Sequence, residues 1–352
     1  MPLTADQKDL YSNLLDALVT APDLHSLLKI YKDDNKDIIR LSGTKKDLIN
    51  NIFEAIDGSI IQLTDVQALI KDSEEFGDQH IFLYKLRDLS KTGYYNDAAG
   101  LFNRIVPRNL QSTFPRLMNM PEKLELTDFR YPNKGVNNSF LIKLYDSKKR
   151  EIKENENFDY ATLRRTVVYK TEQSRLIYLT DYDGNGELGI KISRSNFDSR
   201  KSLSSALGLV KQFIHADRAG IFVDRDFVKI DLTPVINNIL ENSHLHNNVF
   251  KLISAKFVDS QGGIATIQSQ DDSGDHDLLA EESRKEAVEA YINGDAVGTG
   301  LVVRFLASGS NGNLDGDVNV IIGRDDSNHI IFPSKVKPQE YKYVRRKVAE
   351  FN

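Results

Sequence analysis

The sequence contains no cysteine and no tryptophan, and only 3 methionines occur among its 352 residues. Without cysteine the chain has no thiol nucleophile, no thiolate ligand for zinc and no disulfide framework. Long apolar runs are missing too, since no window approaches the roughly 20 apolar residues of a membrane span. The N-terminus is acidic and polar, whereas a signal peptide needs a basic start and a continuous apolar run. These absences predict an intracellular protein, cytoplasmic or nuclear, that makes no contact with a membrane.

What the sequence does contain is typical of a globular protein with close to balanced charge. It has 46 Lys or Arg, 51 Asp or Glu and 40% hydrophobic residues, for a net charge of −5. The charge is not evenly spread: the balance is −3 over residues 1–120, +3 over 121–260 and −5 over 261–352. The length favours two or more folding units, each able to bury its own core. The net charge argues against a protein whose whole surface binds a polyanion, but a net figure can hide a local patch, and the middle of the chain is its basic part.

The N-terminal segment has the apolar spacing of short helices. Leucines and isoleucines recur at every third or fourth residue after each of four polar residues that can begin a helix, and these are Thr4, Asp23, Thr44 and Thr64. Pro22 is expected to end the first helix, and Asp47 completes a capping box with Thr44. DQHIFLYKLRDL is predicted as a fifth helix, although IFLY alone also fits a buried strand. Residues 1–90 are therefore predicted to form a helical bundle that docks protein.

The rest of the chain is predicted to be mainly antiparallel sheet with a few helices, which makes the fold class α+β. Residues 91–122, with three prolines, are a transition between domains, and residues 123–352 hold the β-rich region, with two possible subdomains dividing near 260. β-branched and aromatic runs are separated there by turns and by charged segments such as DSKKREIKENENFD. SLSSALGLVKQFI, LTPVINNILEN and EESRKEAVEAYIN are the predicted helices of this region.

Two family resemblances follow from these patterns. Residues 23–56 resemble a SAP-type helix-loop-helix, with Gly43, Lys46, Leu48 and Ile49 at the matching positions. The order of N-terminal helices followed by a β-rich remainder is similar to the centromere protein N family. That resemblance implies a pyrin-like helical bundle, a β-rich domain and contact with chromatin. Either one implies a role close to DNA or DNA-bound protein.

The segment DYDGNGELGIKI has the oxygen-donor spacing of a calcium loop. Five positions match those of an EF-hand, namely Asp181, Asp183, Asn185, Gly186 and Leu188. Ile192 stands where the loop needs a bidentate glutamate, and the flanking residues are typical of strands. Asp-Gly and Asn-Gly are also favoured in tight hairpin turns, so a hairpin is the preferred interpretation and a calcium site the alternative.

A second Asp/Gly/Asn-rich segment lies near the C-terminus. Asn311-Gly312 and Asp315-Gly316 are turn dipeptides, and Asp325, Asp326 and Asn328 join two apolar runs as a hairpin would. Gathered carboxylates can bind divalent ions, but solvated turns are the preferred interpretation. Asp277 lies in an acidic loop that leads to a predicted helix.

The signals for catalysis do not assemble into one site. Asp224, Asp226 and Lys229 resemble the carboxylates and lysine of a metal-dependent nuclease, with Lys229 one residue beyond the usual spacing. His244 and His246 could share a metal on a strand, but a polar loop is favoured. His80 sits in an apolar run and is predicted to be a core or boundary histidine. No phosphate loop or serine-hydrolase motif occurs, so neither a catalytic residue nor a cofactor or metal is assigned.

Basic residues give the clearest functional signal, because lysine and arginine neutralise phosphates and a tyrosine among them can stack on a base. The candidate nucleic-acid-binding residues are Lys143, Lys148, Lys149, Arg150, Arg164, Arg165, Lys342, Arg345, Arg346 and Lys347. Tyr341 and Tyr343 are interleaved with the last four. An alternative is that these tyrosines pack inward and the cations are a solvated face.

The sequence thus predicts a non-enzymatic intracellular adaptor. Its N-terminal bundle docks a protein partner, and its basic surfaces contact DNA or RNA, or an assembly bound to it. A metal-dependent nuclease or other phosphoryl-transfer enzyme is one alternative, and a purely protein-protein scaffold is another.

Overall fold

The structure is a computed structural model that describes residues 3–106, 108–113, 115–117, 120–131, 138–160, 162–194, 200–215, 220–269, 277–323 and 326–351. Its α-helices are α1 (Ala5–Leu18), α2 (Ala21–Lys32), α3 (Lys45–Asp57), α4 (Leu63–Glu75), α5 (Thr92–Tyr95), α6 (Ala98–Ile105), α7 (Arg200–His215), α8 (Val223–Asp226), α9 (Thr233–Asn242), α10 (Glu282–Asn293) and α11 (Pro338–Glu350). Its strands are β1 (Gly77–Leu86), β2 (Glu125–Arg130), β3 (Phe140–Asp159), β4 (Arg164–Tyr182), β5 (Glu187–Ser193), β6 (Phe227–Lys229), β7 (Phe250–Val258), β8 (Ile264–Gln268), β9 (Val297–Phe305), β10 (Val318–Gly323) and β11 (His329–Lys335). The predicted α+β class with antiparallel pairing is confirmed.

The chain forms two compact units. The first combines Met1–Tyr84 with Lys229–Asn352, and the second is Lys85–Val228. The sequence predicted boundaries at 91–122 and near 260. Pairing of β1 with β11 gathers the N-terminal helices and the C-terminal strands into one unit, and no local pattern in the sequence reveals that long-range pairing.

The first helices begin at the polar residues that their caps require. Thr4 and Thr44 each accept a hydrogen bond from the third residue of the helix and complete a capping box, as predicted for Thr44. The second helix differs from expectation. Thr20, not Asp23, is its N-cap and accepts from the Asp23 amide at 3.3 Å. Pro22 lies in the first turn of this helix, where its missing N–H costs nothing, while the preceding helix has already ended at Leu18.

The predicted fifth helix is wrong, because DQHIFLYKL forms β1. Residues of β1 up to Phe82 pair with β11, and Gln79 lies opposite Phe332. The strand is buried along most of its length, so it has the continuous apolar run of a central strand and no alternation to separate it from a helix. The described residues up to Leu86 therefore form four α-helices and the strand β1, and they do not form the all-helical bundle predicted for residues 1–90.

In the first unit the strands follow one another in the order β1, β11, β10, β9, β7 and β8. Helix α9 packs on β9 and β10, and its Ile236 and Ile239 are fully buried in the main core. Helix α11 adds Tyr341, Tyr343 and Val344 to the same core. Burying a side chain of this size stabilises the fold by about 1.5–3 kcal/mol, which ties the C-terminal helix firmly to the sheet.

In the second unit the strands follow the order β2, β3, β4 and β5. An aromatic row crosses one face of this sheet, in which Phe129 stacks on Phe140 and Phe140 stacks on Tyr182 at 5.3 Å between ring centroids. Tyr95 of α5 reaches the same row. Burial raises the pKa of Tyr182 to about 12, so its hydroxyl stays neutral at physiological pH. Strands β3 and β4 continue far beyond this sheet.

Candidate nucleic-acid interface

A two-stranded arm is the most unusual feature of the second unit. Strand β3 pairs with β2 only as far as Tyr145, and β4 pairs with β5 down to Tyr178. Beyond those points β3 and β4 continue to pair with each other to Asp159 opposite Arg164. We call residues 147–174 the arm. At about 3.3 Å per residue, its strands extend roughly 40 Å.

The sequence hid the arm because neither of its faces is buried. DSKKREIKENENFD was predicted as a charged separator between strands, and this is wrong: it is the outer half of β3. The β-branched and aromatic runs RRTVVYK and SRLIYLT likewise both belong to the single strand β4. Hydrophobic alternation arises only when one face of a strand is buried, so an arm solvated on both faces lacks the usual pattern of a strand.

The arm is rich in cations, and nearly all of its described side chains from 149 to 173 are exposed. Its seven Lys or Arg exceed its five Asp or Glu, a balance of +2. Lys153 and Arg165 both pair with Glu156. Exposed pairs of this kind are worth at most about 1 kcal/mol, so both cations can exchange their partner for a phosphate. The arm's cations are Lys148, Lys149, Arg150, Lys153, Arg164, Arg165 and Lys170.

Five predicted nucleic-acid-binding residues therefore fall on one structural element. Lys149, Arg164 and Arg165 are exposed, and Lys148 is half-buried with a partner of its own. Arg150 lies opposite Glu172 in the strand register, and its side chain is outside the part of the chain that the structure describes. The sequence placed these cations in separate loop and strand segments. The long hairpin brings them together.

Among the predicted residues of β3 whose side chains the structure describes, Lys143 differs from the others in its burial. Its side chain lies at the root of the arm, is 3% exposed and is engaged with other groups. Its Nζ atom is 5.6 Å from the centroid of the Tyr145 ring, and the Arg175 guanidinium lies over the same ring at 4.6 Å. Its burial sets it apart from Lys149, Arg164 and Arg165, which are exposed. Lys143 and Arg175 help to fix the root of the arm through cation–π contacts with Tyr145.

The tip of the arm exposes apolar side chains that sequence reasoning missed. Tyr160 is 84% exposed and Leu163 is 76% exposed, while Phe158 is 41% exposed and packs edge-on against Tyr160 with ring centroids 4.9 Å apart. Leu163 has a positive φ of 52°, a left-handed conformation that is costly for a leucine. The sequence does contain these residues, since YATLRR places Tyr160 and Leu163 beside two arginines. Their exposure at a tip can be recognised only once the hairpin is known.

The C-terminal cations have a different setting, on the outer face of α11. Tyr341 and Tyr343 are buried, so the expectation that they stack on bases is wrong and the inward-packing alternative is confirmed. Arg346 and Lys347 both pair with Glu350, while Lys342 is exposed and Arg345 has a partner. The four cations therefore belong to a helix whose two tyrosines are buried in the core.

The loop in DYDGNGELGIKI is a hairpin turn, as preferred. It joins β4 to β5, and the Asp183 Oδ1 atom accepts from the amides of Asn185 at 2.7 Å and Glu187 at 2.8 Å. Gly184 and Gly186 supply the positive φ angles that the turn requires. Asp181 instead faces the buried Lys191, with 3.3 Å between its Oδ2 atom and Nζ. The carboxylates of the calcium alternative are thus engaged by the hairpin itself.

The second Asp/Gly-rich segment also forms connections between strands. Asn311 and Gly312 adopt positive φ angles in the turn from β9 to β10. Buried Asn328 donates to the Leu83 carbonyl at 2.9 Å between β10 and β11. Asp326 accepts from Lys229 at 3.0 Å, and Asp325 lies outside the described residues. Asp277 accepts from the amides of Leu252 and Leu279, which orders the loop ahead of α10.

The carboxylates of the predicted nuclease motif are held by cations and a tyrosine. Asp224 is exposed and pairs with Lys211 at 2.5 Å. Asp226 is buried and bonds to Arg225, Lys91 and Tyr95, while Lys229 pairs elsewhere, with Asp326. Among the described residues there is no group of three or more His, Cys, Asp or Glu able to hold a metal ion. The nuclease alternative gains no geometric support from these residues.

His80, His329 and His246 pack against neighbouring rings. His80 and His329 stack, with 3.0 Å between Nδ1 of the first and Nε2 of the second, as expected for a boundary histidine with a satisfied partner. His246 packs edge-on against Phe351 with ring centroids 5.1 Å apart. The side chain of His244 is outside the described set.

A groove of about 560 Å³ lies in the first unit, between α2, α4 and the segment joining β11 to α11. Its apolar lining includes Leu27, Leu69 and Ile30, and the last of these is 74% exposed. The charged groups of the lining are four carboxylates and two lysines, namely Asp23, Asp65, Asp72, Glu340, Lys335 and Lys337. The Tyr31 hydroxyl donates to Asp65 at 2.8 Å, which raises the tyrosine pKa. The groove is thus apolar with an excess of negative charge.

Comparison of the sequence with protein-family models found no matching family, and comparison with curated proteins found no significant relative. The resemblances to SAP-type modules and to the centromere protein N family therefore stay predictions. Within the described ranges, no helix combines the length and apolar character that crossing a membrane requires.

Proposed function

We propose that this protein is an intracellular, non-enzymatic adaptor that contacts nucleic acid through the β3–β4 arm. The observation that carries the proposal is the exposed two-stranded arm with its excess of cations. A two-stranded ribbon has the width to enter the major groove of B-DNA, and lysine and arginine along it can neutralise phosphates on both sides.

The low intrinsic stability of a two-stranded arm also supports binding of a partner to it. An isolated two-stranded hairpin is marginal in water, because it buries little apolar surface to offset the entropy of ordering its residues. The arm keeps Val168 and Tyr169 about half exposed on its two faces. A partner that contacts the arm would stabilise it, and a partner rich in phosphate fits its charge.

Removing the arm tests this function. Ser147 lies opposite Arg175, so a two-residue Asn-Gly turn can replace residues 148–174 and close the hairpin at its root. We expect this variant to keep its folding transition and to lose binding to a mixed-sequence 30-bp duplex and to a single-stranded oligonucleotide. The control is a variant with Lys342→Glu and Arg346→Glu on α11, which keeps the arm and should still bind both nucleic acids. Full binding by the arm deletion would contradict the proposal, and no binding by the intact protein at low salt would leave the pure scaffold alternative.

The groove beside α2 and α4 supports the second part of the adaptor proposal, protein docking through residues 1–90. The occupant that fits is an amphipathic helix with an apolar stripe and flanking Lys or Arg. Ile30 gives the groove an exposed apolar contact, and carboxylates such as Asp65 and Asp72 complement basic side chains.

A photocrosslinking amino acid in place of Ile30 tests the groove, and the same substitution at the neighbouring exposed Lys29 is the control, because Lys29 does not line the groove. We expect position 30, and not position 29, to capture one partner through a basic amphipathic helix. Ile30→Glu should then lower the affinity for that helix as a synthetic peptide. Equal capture at both positions, or capture through an acidic segment, would contradict docking in this groove.

A further inference from the structure

The tip of the arm brings three features together within a few residues. Tyr160 and Leu163 are the most exposed apolar side chains among the described residues of the arm, and Phe158 packs beside Tyr160. Arg164 and Arg165 follow directly and are exposed. Leu163 has a left-handed backbone, at an energetic cost that a glycine or asparagine would avoid. Strain of this kind persists only where the surrounding structure holds the residue in place, and strained residues cluster at ligand-binding and active sites.

We propose that this tip inserts Leu163 and Tyr160 between base pairs of duplex DNA and bends the helix, an inference that rests on the proposed nucleic-acid function. Proteins that bend DNA commonly insert apolar side chains at a base step and unstack it. Insertion removes Leu163 and Tyr160 from water, and the adjacent arginines are placed to hold the phosphates on either side of the opened step.

The charge of the tip favours DNA over protein as its occupant. The sequence of residues 158–165 contains two arginines and one aspartate, so apolar side chains and positive charge occur together. A protein surface would need a carboxylate-rich apolar pocket to match this combination. A DNA duplex offers the match at every step, since stacked bases are apolar on their faces and each step is flanked by phosphates.

The test uses the full-length protein and a 30-bp duplex with a central TA step, which unstacks easily. Fluorophores at the two ends report bending, and 2-aminopurine beside the step reports unstacking. On binding we expect the ends to approach, with a bend of roughly 20–90°, and the 2-aminopurine fluorescence to rise.

The key variant is Leu163→Asn, because asparagine tolerates the left-handed backbone and so keeps the turn folded. We expect it to lose both fluorescence changes and about tenfold in affinity, with the salt dependence of binding unchanged. Ile152→Thr is the matched control. It replaces another exposed apolar residue of the arm, away from the tip, and should bend DNA like the original protein.

The outcomes separate the inference from the function on which it rests. Binding without bending or unstacking would overturn insertion and leave nucleic-acid binding intact. Bending by Leu163→Asn equal to that of the original protein would also overturn it. A dimer in the absence of DNA that Leu163→Asn dissociates would overturn it in favour of a second copy of the chain at the tip. Failure of the intact protein to bind any duplex would contradict the proposed duplex binding itself, and the insertion inference with it.

Discussion

The Tyr95 hydroxyl donates a hydrogen bond of 2.7 Å to the Asp226 carboxylate, whose side chain is 1% exposed. Arg225 and Lys91 donate to the same carboxylate, at 2.8 and 2.6 Å. Hydrogen bonds from Arg225, then from Lys91 and Tyr95, hold the pKa of Asp226 well below its usual range, against the effect of burial. In return, burial and the bond to Asp226 raise the pKa of Tyr95. This cluster joins α5 to α8 in the second unit.

Asp226→Asn should lower the free energy of unfolding by about 2 kcal/mol at pH 7, because it removes the charge that three donors stabilise. A lowered pKa in the folded state means that the charge stabilises the fold fully above the unfolded pKa, near 3.9, and less as pH falls through the folded value. Urea unfolding should therefore show a difference between the two proteins that is constant from pH 7 to about pH 5 and shrinks at lower pH.

Tyr95→Phe provides the control for that measurement, since it removes one donor and keeps the carboxylate charged. Its expected cost is about 1 kcal/mol. A difference between Asp226→Asn and the original protein that grew on acidification would contradict the assigned direction of the pKa shift.

Gly77→Ala should destabilise the first unit by about 3 kcal/mol or more. Gly77 has a φ of 73°, and a Cβ atom there would lie 2.3 Å from the Ser334 carbonyl oxygen and 2.5 Å from the Val336 amide nitrogen. Both are backbone atoms, so neither can move without disturbing the start of β1 against β11. Thermal unfolding measures the effect, and Gly316→Ala, with nothing within 4 Å of the added methyl, should change stability little. Equal midpoints would show that β1 does not approach β11 this closely.

Thr44→Ala should cost about 1 kcal/mol, because it leaves the first turn of α3 without its side-chain acceptor. The Thr44 side chain accepts from the Asp47 amide at 3.3 Å, and the Asp47 carboxylate accepts from the Thr44 amide at 2.8 Å. Thr44→Ser keeps the hydroxyl and should stay within a few tenths of a kcal/mol of the original protein. Chemical denaturation of the three proteins checks the order, and a Ser variant as weak as the Ala variant would exclude the cap as the cause.

Replacing Lys149, Arg164 and Arg165 by alanine should reduce the slope of log K against log salt by about 2.7, since each phosphate contact contributes about 0.9. The measurement is duplex binding by fluorescence anisotropy from 50 to 200 mM salt. A double alanine variant at Lys342 and Arg346 of α11 is the control, with an unchanged slope expected. A larger change of slope in the α11 variant than in the arm variant would indicate that the C-terminal helix, and not the arm, contacts the phosphates.

The arm shows why part of the interface could be predicted and part could not. Lysine and arginine are visible in any sequence, so Lys149 and Arg164 were among the candidates. Their convergence depends on a pairing between strands that carry no apolar alternation, and local patterns do not encode such a pairing. The burial of Lys143 is a second property that the sequence did not reveal. The four-strand sheet ends between Lys143 and Lys148, so that of Lys143, Lys148 and Lys149 only Lys143 is buried. The spacing of these lysines in the sequence gives no sign of that boundary.

By itself the sequence determined the properties that depend on composition and on neighbouring residues. It excluded thiol chemistry, located the cap at Thr44 and placed the hairpin turn at Asp183, because capping and turn formation involve residues within a few positions of each other. Tertiary structure alone decided that β1 is a strand, that Tyr343 is buried and that Leu163 is exposed beside two arginines. Those outcomes depend on contacts between residues far apart in the chain, which bury Tyr343 and leave Leu163 in water.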